Sequence, residues 1–203
     1  MDKIIKAVPL YTFVKFCNES SLKKEVLDLG AGGDFPPLYL FYNQGYKTKG
    51  IDISKLQVDK AKRFSKKNNM ELNIIKGDMR ELPFKDESIS FIYSYNSIFH
   101  LTKEDTLKAI NEIKRVLKKD GLCFVNFISV DDGGYGKGKE LNKGEFIQYE
   151  LGNKVVHSYY KDKEPEKYFY DLKIVYKQKR IINREHKGEI YNLAYLDYIV
   201  KKV

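Results

Sequence analysis

The chain is poor in the features that would place it in a membrane, an oxidising compartment or a metal-dependent class. No apolar stretch approaches the roughly eighteen residues that a membrane span requires, although 42% of the 203 residues are hydrophobic. A globular core is therefore expected, with no membrane partner. Lys3 and Lys6 have no apolar stretch after them, so no secretory signal is expected. The two cysteines, Cys17 and Cys123, offer neither a disulfide framework nor metal-ligand spacing. They read as small buried residues of a cytoplasmic protein with reduced thiols, and no metal site is expected.

Charge of one sign is not scarce: 37 Lys and Arg stand against 28 Asp and Glu, a net charge of +9. The excess is mostly lysine interleaved with acids, whereas a groove that follows phosphates gathers its cations on one surface. A solvated surface is expected and nucleic acid is not, with an RNA substrate kept as an alternative. The length suits one domain that buries well over half of its unfolded surface.

A further shortage is the last glycine of a dinucleotide-binding fingerprint. Residues 26–34 read Val-Leu-Asp-Leu-Gly-Ala-Gly-Gly-Asp, and Gly50-Ile51-Asp52-Ile53-Ser54 follows about twenty residues later. An apolar strand that ends in glycines lets the backbone turn sharply and approach a ligand. A second strand that ends in a carboxylate suits two ribose hydroxyls. Nicotinamide cofactors and a phosphate-free nucleoside both fit that outline. Counting G-x-G-x-x-G from Gly30 and Gly32, however, places Phe35 last, and Pro36 and Pro37 remove two N–H donors where a diphosphate would be held. A phosphate-free ligand fits better. Asp28, two residues before the first glycine, would tolerate a cationic ligand.

With its downstream segments, the chain resembles the class I S-adenosylmethionine-dependent methyltransferases from about residue 25 to 129. Lys76-Gly77-Asp78-Met79-Arg80-Glu81-Leu82-Pro83-Phe84 is similar to the loop after the family's third strand. Residues 90–101, which include Ser94-Tyr95-Asn96 and His100, resemble its fourth strand and following loop, and residues 113–122 its next helix, turn and fifth strand. Two departures stand out. Asp34 occupies the usual position of the third glycine and, before Phe35-Pro36-Pro37, suits a helix N-cap. Ser90 replaces a common aspartate.

The resemblance implies S-adenosylmethionine as cofactor, S-adenosylhomocysteine as product and a small-molecule acceptor. Asp52 would accept from both ribose hydroxyls and Asp78 from the adenine amino group, with Ile53 and Met79 covering the base. Gly30, Ala31 and Gly32 would pass beneath the methionine portion, near Asp28, while Ser94 and Tyr95 would lie near the sulfonium. His100 and Tyr95 are the candidate catalytic groups; Asn96 is as well placed as Tyr95 to touch an acceptor, and His157 and Tyr160 could enter from a hairpin. Tyr11 with Phe13 would close over the cofactor or simply pack. Methyl transfer needs little beyond in-line positioning, so no metal or nucleophile is required. The same residues are also compatible with a protein that binds the cofactor without catalysis and with a nicotinamide oxidoreductase.

The apolar pattern predicts an α/β fold in which strands at 26–29, 48–53, 72–75, 89–95 and 122–128 alternate with helices. Ser54 with Gln57 and Thr102 with Asp105 mark helix starts. Leu56, Ala61 and Phe64 would face the core from the first of these helices, and Leu107, Ile110, Ile113 and Leu117 from the second. Beyond 129, Gly133, Gly134, Gly136 and Gly138 suggest a mobile loop. A hairpin at 146–151 and 155–160, a short helix at 164–169 and an antiparallel pair at 174–184 and 189–200 follow. By resemblance this is a Rossmann-like, doubly wound, mostly parallel seven-stranded sheet closed by a C-terminal antiparallel hairpin. It forms one domain with an N-terminal helical segment (1–24), a cofactor-binding core (25–129), a substrate-side region (130–170) and a terminal strand pair (171–203).

Overall fold

The computed structural model describes residues 7–150, 152–186 and 188–203. Lys3, Lys6, Leu151 and Lys187 lie outside them. The apolar runs form β1 (Glu25–Leu29), β2 (Lys47–Asp52), β3 (Ile74–Lys76), β4 (Ile89–Ser94) and β5 (Leu117–Ser129). They pair in parallel in the order β3-β2-β1-β4-β5. β1 and β4 are buried throughout, as expected for parallel strands covered on both faces.

Strand alternation sorts the side chains into two cores. Val26, Phe91, Tyr93 and Phe124 meet α1 (Val8–Asn18), α2 (Leu38–Asn43) and α3 (Lys55–Lys67) on one face. Leu27, Leu29, Ile92, Val125 and Phe127 meet α4 (Lys103–Val116) and a 3-10 turn at Glu164–Phe169 on the other. Both predicted caps are made. The Ser54 hydroxyl accepts from the Gln57 N–H at 3.4 Å and that of Thr102 from the Asp105 N–H at 3.1 Å.

Some helix details differ from expectation. Leu56 and Leu107 are 62% and 42% exposed. Val58 replaces Leu56 in the stripe with Ala61 and Phe64, because α3 turns that phase toward the sheet. Thr106, Ala109, Ile110, Ile113 and Val116 form the buried face of α4, and Leu117 already belongs to β5. Asp34 caps no helix. α2 begins only at Leu38, after Pro37 and without a side-chain cap, and Asp34 pairs with Lys60 at 3.0 Å.

The C-terminal part extends the expected seven strands. β10 (Glu189–Lys202) runs antiparallel to β5 and carries β9 (Leu172–His186), which completes the seven-stranded core. β6 (Lys139–Asn142), β7 (Glu145–Glu150) and β8 (Asn153–Tyr160) form an antiparallel arm. It joins β5 through Ile128↔Tyr159 and Ser129↔Tyr160, giving ten strands. Ile128 also pairs with Tyr195 of β10, so β8 occupies the edge of β5 that β4 vacates after Ser94. The glycine-rich segment before β6 is not a free loop. The Gly133 N–H donates to Asn192 O at 2.8 Å, the Gly134 N–H to Asp132 Oδ1 at 2.8 Å, and Gln148 Nε2 to Gly134 O at 2.9 Å. Among the described residues no helix is long and apolar enough to cross a membrane.

Candidate functional site

The site is built where β1 and β2 end side by side. The N–H groups of Gly30 and Ala31 both donate to Ile51 O at 2.9 Å, which draws the loop across the end of β2. Gly30 has φ +105°, and a Cβ there would stand 2.0 Å from Ser97 Oγ. The glycine is thus required both by backbone conformation and by the approach of the loop after β4. At Gly32 a Cβ would lie 2.4 Å from Gln57 Cβ and 2.5 Å from Asp52 Oδ2. Ala31 is buried with its methyl toward Gly50, so it offers a ligand only backbone.

Asp52 ends β2 with two protein donors on its carboxylate: Gly32 N–H at 3.0 Å on Oδ2 and Ser54 N–H at 2.8 Å on Oδ1. A carboxylate has about four acceptor sites, so capacity for two hydroxyls remains. Asp52 shares a cleft with Gly30, Ile53, Asp78 and Met79, which the sequence had singled out, and with Ile51, Gly77, Ser97 and Leu101, which it had not. The cleft holds about 340 Å³ of free space, its open mouth included. Ile53 stands at its lip, 62% exposed. The Gly77 N–H donates to Asp52 O at 3.0 Å, so the start of the loop after β3 also belongs to the floor. A larger hollow elsewhere, lined by Lys103, Tyr135, Lys143, Gly144, Tyr159 and Glu164 among others, has no glycine turn at the end of a parallel strand and no carboxylate at a strand end.

Asp78 has a competing partner. Arg80 Nη2 and Nε donate to Asp78 Oδ2 at 2.6 and 3.1 Å, Nε and the Arg80 N–H to Oδ1 at 3.0 and 2.9 Å, and Nη1 to Asp105 Oδ2 at 2.7 Å. Hydrogen bonding from Arg80 holds the Asp78 carboxyl below the usual range. The group stays ionised in the cleft, with much of its acceptor capacity taken.

Two expected site residues lie beneath the cleft. Asp28 is 2% exposed, because alternation along β1 turns it toward α1. Tyr93 Oη donates to its Oδ2 at 2.8 Å. Burial pushes the Asp28 carboxyl from 3.8 up to about 8, against the lowering effect of the Tyr93 hydrogen bond and with a smaller contribution from the Asp52 charge. Ser94 is fully buried; its hydroxyl donates to Leu29 O at 3.0 Å and accepts from the Ile98 N–H at 3.2 Å, tying β1 to the loop after β4.

The loop after β4 divides its residues between two environments. Tyr95 is half-buried, its ring 6.4 Å from that of Phe124. Asn96, at φ 54°, is held by a reciprocal pair: its N–H donates to Asn126 Oδ1 at 2.8 Å, and Asn126 Nδ2 donates to Asn96 Oδ1 at 2.7 Å. His100 turns the other way. It ends the 3-10 turn Ile98–His100, its ring 4.8 Å from that of His157 on β8, and like Tyr95 and Asn96 it does not line the cleft. Tyr160 lies in the opposite core, its hydroxyl 3.3 Å from Thr106 Oγ1. Phe13 packs in the core against Phe41, Tyr93 and Phe124, while Tyr11 on α1 is 44% exposed. Among the described residues no group of three His, Cys, Asp or Glu side chains is placed to hold a metal ion.

Residues 27–125 match the methyltransferase domain family. A sterol 24-C-methyltransferase of Pneumocystis carinii is 33% identical over 99 residues, 48% of this chain and 26% of that protein. An uncharacterized methyltransferase of Bacillus subtilis is 32% identical over 114 residues, 56% of this chain and 42% of that protein. The chain thus spans between about a quarter and two fifths of the length of these two relatives. The crystal structure of a SAM-dependent methyltransferase from Methanosarcina mazei shares the fold with a TM-score of 0.75 at 18% identity, over 93% of this chain and 97% of that one.

Proposed function

This chain carries a class I S-adenosylmethionine-dependent methyltransferase domain, and on that premise we propose that it transfers a methyl group to a small-molecule acceptor. The observation that supports this best is Asp52. Its carboxylate keeps acceptor capacity beside the Gly30–Gly32 turn, with Ile53 and Met79 at the same cleft. Asp52 would hold the ribose, Ile53 and Met79 the faces of the base, and Asp78 the adenine amino group with whatever acceptor capacity Arg80 leaves. The Gly30–Gly32 backbone would pass beneath the methionine portion.

S-adenosylmethionine supplies an electrophilic methyl group on a sulfonium. The chain's task in the proposed in-line transfer is alignment, which contributes roughly 7 kcal/mol or more when an acceptor is held at attack distance. Tyr95 and Asn96 at the end of β4 are the acceptor-side groups, and the Asn96–Asn126 pair fixes that loop. His100 faces His157, so acceptor positioning is assigned to Tyr95 and Asn96 first. An RNA acceptor is the second reading, motivated by the net charge of +9. Cations paired with acids at separate places, as in Lys60–Asp34, Lys114–Asp171 and Lys202–Glu87, favour the small molecule.

The test is calorimetric titration with S-adenosylhomocysteine. The wild type should bind it and ignore NAD. Asp52→Ala should weaken binding roughly tenfold to a hundredfold, the effect of losing charge-assisted hydrogen bonds. A thermal melt of the variant measures separately the loss of its bonds to Gly32 and Ser54. Unchanged affinity in the variant, or binding of NAD alone, would refute the assignment. Salt-sensitive RNA binding would favour the second reading, and a bound donor that no acceptor ever discharges would favour a non-catalytic binder.

A further inference from the structure

On the sheet face that carries α1, side chains from three strands converge beyond the end of β4. Phe124 and Ile199 belong to the core on this face, so alternation places Asn126 of β5 and Tyr195 and Asp197 of β10 on it as well. Tyr195 and Asp197 stand opposite Ile128 and Asn126. Arg180 of β9, opposite Tyr195, reaches across to Asp197: Nε donates to Oδ2 at 2.5 Å and Nη2 to Oδ1 at 3.2 Å. Its guanidinium carbon lies 4.8 Å from the centre of the Tyr195 ring.

The pair is largely withdrawn from water, with side-chain exposures of 16% for Arg180 and 1% for Asp197. Yet the fork is not saturated. A guanidinium has five N–H donors, two of which bind Asp197, and among the described residues nothing accepts from Nη1. β9 and β10 also run past the last β5 pairing at Tyr195. The overhang continues the same face with Ile182, Arg184, Tyr191 and Leu193, adding a second guanidinium and apolar surface.

Resting on the methyltransferase reading above, we propose that Arg180 is the acceptor-binding residue of this site and that the acceptor carries a carboxylate on an apolar body. Arginine suits this task because its planar fork pairs with a carboxylate through two parallel bonds. The geometry also sets a size. The guanidinium sits over β10, two strand spacings from β4, so the carboxylate and the methyl-accepting atom near Tyr95 lie roughly 10 Å apart or less. β1, beneath the methionine portion of the donor, is a further strand away, which assigns Arg180 to the acceptor and not to the donor's own carboxylate.

The test uses ligand-observed NMR titrations of the S-adenosylhomocysteine complex with benzoate and succinate, against the neutral benzamide and succinamide. Removing Arg180 alone would strand a buried Asp197, so the test variant is the double substitution Arg180→Gln with Asp197→Asn, which removes both charges together and leaves an uncharged, polar pair. Expected are binding of at least one carboxylate to the wild type, no comparable binding of its amide, and a loss of roughly tenfold to a hundredfold in the double variant, with S-adenosylhomocysteine affinity unchanged. Equal binding of acid and amide, no binding of either acid, or a carboxylate affinity indifferent to the double substitution would overturn the proposal. So would a fall in S-adenosylhomocysteine affinity, which would give Arg180 to the donor. Failure of the wild type to bind S-adenosylhomocysteine at all would instead remove the reading on which the proposal rests.

Discussion

Asp28→Asn should stabilise the protein relative to wild type by an amount that grows as the pH rises. The carboxyl is 2% exposed and accepts a hydrogen bond from Tyr93 Oη at 2.8 Å, and burial raises it from 3.8 to about 8. Between those values the folded state keeps the proton while the unfolded chain has lost it, so the folded state binds more protons and stability falls with rising pH. The contribution is fully present below pH 3.8 and is lost as the pH passes through about 8. At about 1.4 kcal/mol per pH unit the whole effect is on the order of 6 kcal/mol. Asparagine keeps the acceptor for Tyr93 and has no proton to lose. Urea melts of wild type and variant at several values from pH 4 to 9 measure the difference directly. The advantage of the variant should grow through this window and level off above it. Parallel curves for the two proteins would refute the reasoning, because they would mean that Asp28 ionises in the fold without penalty.

The glycine turn offers a paired comparison. Gly30→Ala combines a left-handed φ with a clash against Ser97, whereas Gly33, at φ +107°, has nothing nearer its Cβ position than Gln57 Oε1 at 3.9 Å. Gly33→Ala should therefore cost about 1 kcal/mol of strain, and Gly30→Ala more, together with loss of S-adenosylhomocysteine binding. Equal losses in melts and titrations would show that the approach of Ser97 is unimportant. Thr102→Ala removes the α4 cap and should cost about 1 kcal/mol, a fall in Tm of roughly 2 to 4 °C for a chain of this size. Ser54→Ala, whose bond to Gln57 is longer at 3.4 Å against 3.1 Å for Thr102, should cost less. A larger loss at Ser54 would reverse the ranking.

The sequence alone determined the local and periodic features. The positions of β1, β2, β4 and the final strand pair, the caps at Ser54 and Thr102 and the glycine turn facing Asp52 were legible because each depends on near neighbours in the chain: alternation, a cap three residues from its donor, a glycine where the backbone must turn. The face each side chain turns to, and what it meets there, was decided by tertiary structure. Asp28 and Asp52 look alike as strand-end acids, yet packing buries one against Tyr93 and leaves the other in the cleft. Asp78 was legible as an acid after β3, but not its capture by Arg80, which Asp105 on α4 helps to hold. His100 was placed by its distance from β4, and only the β8 arm, which takes over the edge of β5, turned it toward His157. Arg180 and Asp197 lie seventeen residues apart in a region with no motif. The antiparallel register of β9 and β10 brings them together, and pairing of β10 with β5 carries them to the end of β4. Such contacts depend on strand order and register across the whole sheet, which no local pattern encodes.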